Sequence, residues 1–228
     1  MIRNVFIDLD DTLLDFGKAE AVALRKALTL ADIPVTDELI ARYSRINAAQ
    51  WAKLERGELT RQEVLVRRFD ILFEEYGIKK SSLTVQDDYE RLLAIGHWFI
   101  DGAPELLEAL SGKYRLYLAS NGTASVQAGR IKSAGIGKYF DECFVSEHIG
   151  YNKPSREYFE ACFAKIPDFK REESIMVGDG LGSDILGGIN AGIKTCWFNP
   201  KGLEPRPGIQ ADFEIQKLSQ LPELLRKL

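Results

Sequence analysis

Four carboxylates, Asp8, Asp10, Asp11 and Asp15, fall within eight residues directly after the apolar run Val5-Phe6-Ile7. Like charges that close raise each other's pKa and repel unless a cation or a hydrogen-bond donor compensates. Oxygen ligands grouped in this way suit a hard divalent cation. A strand followed by a solvated acidic turn is the plain alternative for this stretch taken alone. Asp8 and Asp10 have one residue between them, so on an extended backbone they point the same way. Three further groups each follow a β-type run: Ser120-Asn121-Gly122, Asn152-Lys153-Pro154 and Gly178-Asp179 through Asp184. With Thr12 they supply hydroxyls, a lysine and a second carboxylate pair, and the only histidines, His97 and His148, lie outside.

That set is complete for phosphoryl transfer through a carboxylate nucleophile. Asp8 fits the nucleophile, and Asp10 the acid that protonates the leaving oxygen and then the base that activates water. A dianionic phosphate will not approach a carboxylate unaided. Mg²⁺ held by Asp8, Asp179 and the main-chain carbonyl of Asp10, with Asp184 behind them or acting through a water, would offset the repulsion. Lys153 adds positive charge near the phosphate and Asp8. Ser120, Asn121 and the amides that follow stand where a helix begins, which suits an anion. Singly, each piece has a blander reading. Ser120-Asn121-Gly122 is a strand-to-helix turn, Lys153 a loop lysine before proline, and Asp184 a helix N-cap. Their occurrence together, at successive strand ends, favours a site.

Such a site needs a frame. Strands at Leu116–Leu118, 142–145, 175–177 and 195–198 alternate with helices at 124–134, 156–164 and 184–191. This pattern predicts right-handed βαβ units and a doubly wound parallel α/β sheet, with ligands beyond the carboxyl ends of the strands. Between the first strand and the rest, the pattern turns helical from Phe16 to about Trp98. The first helix carries Ala19, Ala23, Ala27 and Leu30 at helical spacing, with Leu24 and Leu28 beside them, and Pro34 breaks it. Thr36 is a candidate N-cap for a second helix carrying Leu39, Tyr43, Ile46 and Leu54, which Gly57 ends. Thr60-Arg61-Gln62-Glu63 has capping-box spacing before a third helix, which closes at Gly77, and a fourth runs from about Val85 to Gly96. The reading is an α/β core of residues 1–16 and 99–228 interrupted by a helical cap of 17–98, with Asp101-Gly102-Ala103-Pro104 as the return hinge.

The chain has 228 residues, a net charge of −4 and 45% hydrophobic residues. This composition fits an ordinary globular protein and argues against nucleic acid polymers or an anionic membrane as the main partner. No apolar run approaches a membrane span, and a strand starts at once where a signal peptide would stand. The three cysteines, Cys143, Cys162 and Cys196, are too dispersed for a zinc set or a disulfide framework. They read as small buried hydrophobes in a reduced cytoplasm. The expected partner is a small-molecule phosphate ester, and the expected assembly a monomer or a homodimer.

Asp8-Leu9-Asp10-Asp11-Thr12, Ser120, Lys153 and Gly178-Asp179 through Asp184 resemble, in order, the four motifs of the haloacid dehalogenase superfamily of phosphatases. The insertion point resembles its type with a helical cap. The resemblance implies an aspartyl-phosphate intermediate and Mg²⁺. Leu13-Leu14-Asp15-Phe16, Ile46-Asn47 with Trp51, Glu55 and Gly57, Phe144-Val145-Ser146-Glu147 and Cys196-Trp197-Phe198-Asn199-Pro200 are similar to the bacterial branch of pyrimidine 5′-nucleotidases. Gly180 stands where that family carries serine, and Gly182 also departs from its pattern; either could alter the loop around the metal. Asn47, Trp51 and Glu55 share a helical face. From it Asn47 and Trp51 could reach a base or sugar, and Phe16 could stack on a base, although Trp51 could equally belong to the cap core. The same core would serve a phosphosugar or phosphoglycolate-type phosphatase or a mutase. A metal-free carbon–halogen hydrolase is disfavoured by Asp10 together with Asp179, and a non-catalytic phospho-binding module by the cap.

Overall fold

The first strand, β1 (Asn4–Ile7), is buried along its whole length, and its side chains split between two cores. Val5 and Ile7 join one apolar cluster and Phe6 the other, because successive side chains leave a strand on opposite faces. This computed structural model describes all residues, 1–228. Around β1 run five more parallel strands: β2 (Arg115–Ser120), β3 (Glu142–Val145), β4 (Ser174–Gly178), β5 (Lys194–Phe198) and β6 (Phe213–Ile215), in the order β3-β2-β1-β4-β5-β6. Ile7 pairs with Leu118 on one side and Val177 on the other, so the residues after these strands emerge along one edge. β1 lies at the point where strand order reverses, the place where an open parallel sheet leaves a crevice. The apolar side chains on both faces are what a fully covered parallel sheet demands.

Between β1 and β2 lie α1 (Phe16–Leu30), α2 (Asp37–Glu55), α3 (Arg61–Tyr76) and α4 (Ser82–Leu93), followed by α5 (Ala103–Leu110). The first four share an apolar cluster that includes Tyr43, Phe69 and Tyr89, with rings 4.9–5.6 Å apart, and takes in Val126 from the other side of the seam. Local signals set their ends. Asp15 accepts from the Lys18 amide, Thr36 from that of Leu39, Thr60 and Glu63 close a capping box, and Gly77 takes a left-handed conformation. The remaining helices are α6 (Ala124–Ala134), α7 (Ser146–Ile149), α8 (Arg156–Phe163), α9 (Leu186–Ala191) and α10 (Leu221–Arg226). No helix is long and apolar enough to cross a membrane.

Several expectations need correction. Leu30 is exposed, because α1 turns its Ala19, Ala23, Leu24, Ala27 and Leu28 face inward and Leu30 lies off it. α4 begins three residues before Val85, at Ser82, since Ser81 caps it. The helix expected at 184–191 is a π-helical turn over Leu181–Ile185 that runs into α9. Cys143 is only half-buried. α5, β6 and α10 were not foreseen from the sequence. α5 and α10 are short helices and β6 has three residues, lengths at which periodicity carries little signal.

Candidate active site

Asp8 leaves the end of β1 and is 7% exposed, at the floor of a cavity of about 610 Å³ that also reaches Asp10, Ser120, Lys153, Asp179 and Asp184. The chain turns sharply just beyond, with Asp11 in a left-handed conformation, and the Asp11 carboxylate accepts from the Phe16 amide. Asp11 is thus a turn residue and Asp15 the N-cap of α1. Lys153 is buried and uses all three donors: on Asp8 Oδ1 at 2.7 Å, Asp184 Oδ1 at 2.6 Å and the Ala119 carbonyl at 2.6 Å. Asp184 does not cap a helix. It is buried against Lys153 and accepts from the Gly180 amide. Thr12 orients Asp179, donating to Oδ1 at 3.3 Å and accepting from its amide at 3.1 Å, and the Trp197 indole holds the Asp179 carbonyl.

The charges in this cluster do not balance. Burial raises the Asp8 carboxyl well above its ordinary range, Lys153 pulls it back, and Asp184, Asp10 and Asp179 push it up again. Burial, then the charge of Asp184, carries Asp179 to about 8. Burial would lower Lys153, but Asp184 and Asp8 together hold it above the usual lysine range. Carboxylate oxygens of Asp8, Asp179 and Asp184 lie within 4.8 Å of one another. Two buried acids and the half-buried Asp179, served by one lysine, form an all-oxygen donor set short of positive charge, and a hard divalent cation fits that need.

Around this cluster the sequence-predicted residues take different places. Asp10 lines the same cavity and is gripped by two side chains that sequence reasoning missed. Gln127 donates to its Oδ2 at 2.6 Å, and the fully buried Arg130 forms an ion pair with Oδ1. Both lie on α6, three residues apart, and polar residues turned inward on a buried helix face were the available signal. Ser120 accepts from Gln127 at 2.7 Å and from the Gly122 amide at 3.1 Å. Both ends of the Asn121 side-chain amide are engaged within the protein. It clasps the Lys153 main chain, donating to the carbonyl and accepting from the amide, both at 2.8 Å. A Cβ on Gly180 would meet Ser183 Oγ and lie 2.9 Å from Asp184 Oδ2, so the space of the serine expected at 180 is taken by Ser183. A Cβ on Gly182 would come to 3.4 Å from Arg206, on the loop after β5 that lines this side of the cavity.

The far end of the cavity is built by one polar residue from each cap helix: Glu20, Asn47, Arg68 and Glu90. Asn47 donates to Glu20 at 2.6 Å and accepts from Arg68 at 3.1 Å, and Arg68 approaches Glu90 at 3.5 Å. Burial raises the Glu20 carboxyl, and Ser44, Asn47 and Arg68 restrain it. Both ends of the Asn47 amide are therefore engaged inside the cap. Phe16 and Trp51 line the cavity and are half-buried. Glu55, at the end of α2, lines it too, and burial with the nearby Asp184 charge lifts it to about 7. Glu20, Arg68 and Glu90 carried no sequence signal, since each is a lone charged residue on a helix.

The model of a haloacid dehalogenase-like hydrolase family matches residues 2–192. The HAD-hydrolase YfnB of Bacillus subtilis is 40% identical over 98% of this chain and 95% of its own length. Its magnesium-bound crystal structure aligns with a TM-score of 0.93 over 98% of both chains. Pyrimidine 5′-nucleotidase PynA of Streptococcus pneumoniae is 37% identical over 99% of this chain and 95% of its own. Pyrimidine 5′-nucleotidase YjjG of Escherichia coli is 30% identical over 98% and 97%. The parallel sheet with its strand-end acids and this likeness along nearly the whole chain agree: the chain belongs to the haloacid dehalogenase-like hydrolase family.

Proposed function

We propose that the chain is a Mg²⁺-dependent phosphatase of small phosphate monoesters, and specifically a nucleoside 5′-monophosphatase with a preference for pyrimidines. The observation that carries the reading is Asp8, ion-paired to Lys153 and facing the same cavity as Asp10 and Asp179. An Asp8 carboxylate oxygen attacks phosphorus, the bond to the ester oxygen breaks, and Asp10 delivers a proton to that oxygen. Asp10 then takes a proton from water, whose oxygen attacks the aspartyl phosphate and frees Asp8 and inorganic phosphate. Gln127 and Arg130 orient the Asp10 carboxylate between these steps. Lys153 holds Asp8 in place and stabilises charge on the phosphoryl oxygens. Ser120 binds the phosphoryl group, and Asn121 supports it by fixing Lys153 rather than by its own amide. Asp8, Asp179 and the Asp10 carbonyl, with Asp184 through a water, would hold Mg²⁺, which offsets the repulsion between dianion and nucleophile.

The division of labour follows the chain, with 1–16 and 99–228 as catalytic core and 17–98 as a cap that covers the leaving group. The nucleotide preference is supported by PynA and YjjG, and by a cavity with room for a base and a ribose between the strand ends and the Glu20–Asn47–Arg68–Glu90 array. Phe16 and Trp51 offer flat apolar surfaces to a base. Ranking kcat/KM with Mg²⁺ for dUMP, UMP and dTMP against purine nucleotides and sugar phosphates tests the reading. Highest values on sugar phosphates would reject the nucleotide assignment, and no turnover of any monoester would reject the phosphatase.

A further inference from the structure

Arg61 is the first residue of α3, where the helix dipole disfavours a cation. All the hydrogen bonds of its guanidinium go to the core. One nitrogen donates to the main-chain carbonyls of Asn121 at 2.6 Å and Gly122 at 2.9 Å. The other donates to Ser146 Oγ at 2.5 Å and to Asn152 Oδ1 at 2.9 Å. The Trp51 ring lies beneath it, 5.6 Å away. All four acceptors are neutral, so a partly buried cation sits at the seam without a carboxylate hydrogen-bonded to it. They also belong to the two segments that the Asn121–Lys153 clasp joins, the loop after β2 and the approach to Lys153. Asn121 and Gly122 line the cavity, and Arg61 holds them from outside it.

We infer that Arg61 is a positioning residue that makes cap docking and phosphate binding reinforce one another. With the cap docked, its forked guanidinium fixes the 120–122 loop against the segment carrying Lys153. Glu147 and Glu90 act on its charge without hydrogen-bonding to it, and a phosphoryl dianion in the cavity beside that loop adds a further counter-charge, where low dielectric lets the field act. Coupling of this kind is reciprocal: phosphate holds the cap on, and the docked cap tightens phosphate. A lysine cannot copy the arrangement, because four acceptors in two directions need the planar fork.

The inference rests on the phosphatase reading, and inorganic phosphate is the probe that separates the two. The experiment uses the full chain with Mg²⁺, measuring turnover of 4-nitrophenyl phosphate and its inhibition by phosphate. Amide hydrogen exchange over residues 60–64 and 119–123 is followed with and without phosphate. Arg61→Gln should raise the phosphate inhibition constant and KM by about tenfold, the worth of one charge-assisted hydrogen bond. It should also abolish phosphate-dependent protection at 60–64, and Arg61→Lys should recover only part of both. Asn152→Ala, which leaves the cap sequence intact, should weaken phosphate in the same sense, and the double variant should be no worse than Arg61→Gln. If Arg61→Gln fails to fold, the Asn152→Ala and Arg61→Lys arms decide. Wild-type inhibition and protection in the variants, or additive effects in the double variant, would overturn the inference while leaving the phosphatase standing. A wild-type protein that neither turns over a monoester nor binds phosphate would instead overturn the phosphatase reading.

Discussion

The two ends of the cavity are both built from buried charge, but they are built differently. At the strand ends Asp8, Asp179 and Asp184 share one cation, Lys153, and the cluster is left short of positive charge. At the cap end Glu20 and Glu90 are matched by Arg68 and by Asn47, each of whose amide atoms has a partner. The first arrangement is unstable by itself and gains from what it binds. The second has two carboxylates to one arginine, each hydrogen-bonded within the cap, and offers a ligand a fixed polar surface. Under the proposed function, reaction chemistry falls to the end with the larger deficit of positive charge, and selection among leaving groups to the cap array.

The largest effect expected from breaking this contrast is on turnover. Asp8→Asn should lower kcat by on the order of 10⁴-fold or more, as loss of a nucleophile does. It should leave the melting temperature unchanged or raised, because one of the crowded charges disappears. A variant that keeps its activity would remove Asp8 from the chemistry. Lys153→Met should cost about 3–5 kcal/mol in denaturant melts, since it strands two buried carboxylates. Mg²⁺ should return part of that loss if the deficit of positive charge is what matters.

The cap end should respond in another currency. Arg68→Met should lower kcat/KM for nucleoside monophosphates by about tenfold, the scale of a lost hydrogen bond to a charged group. Its effect on 4-nitrophenyl phosphate and on inhibition by inorganic phosphate should be slight. Equal losses on every substrate would mean that the two ends are not divided in this way.

Removing the metal with EDTA should make stability depend on pH. With its carboxyl raised to about 8 in the folded chain, against an unfolded value of 3.8, Asp179 keeps its proton longer when folded. Its contribution is fully present below the unfolded value and is lost as pH rises towards 8. The melting temperature of the metal-free protein should therefore fall across that range and flatten when Mg²⁺ is added. A metal-free profile that rises with pH would contradict the crowding at the strand ends. The smallest expected change is that of Trp51→Ala, a rise in KM for nucleotides of a few-fold through lost ring contact. Unchanged kinetics on every ester would make Trp51 a cap-packing residue only.

What the sequence by itself determined was local. The apolar run Val5-Phe6-Ile7, short β-type runs alternating with helices, glycines after helices, and Thr36 and Thr60 as caps each act within a short stretch, so the parallel sheet and the ends of the cap helices could be read directly. The acids at the ends of β1 and β4 were legible for the same reason, as carboxylates stacked behind apolar strands have few other uses. Only the tertiary structure decided how those groups are shared. The Asn121 side chain, beside the main-chain amides expected to meet an anion, clasps the Lys153 main chain, a contact across 32 positions. Asp184, an N-cap in isolation and a residue behind the metal ligands within the set, is also the second anchor of Lys153. Arg130 is 120 positions from Asp10, and Glu20, Arg68 and Glu90, which meet Asn47 in the cap, leave no mark in any short window. A buried charge is stabilised by whichever partner folding brings within reach, and sequence spacing says nothing about that distance.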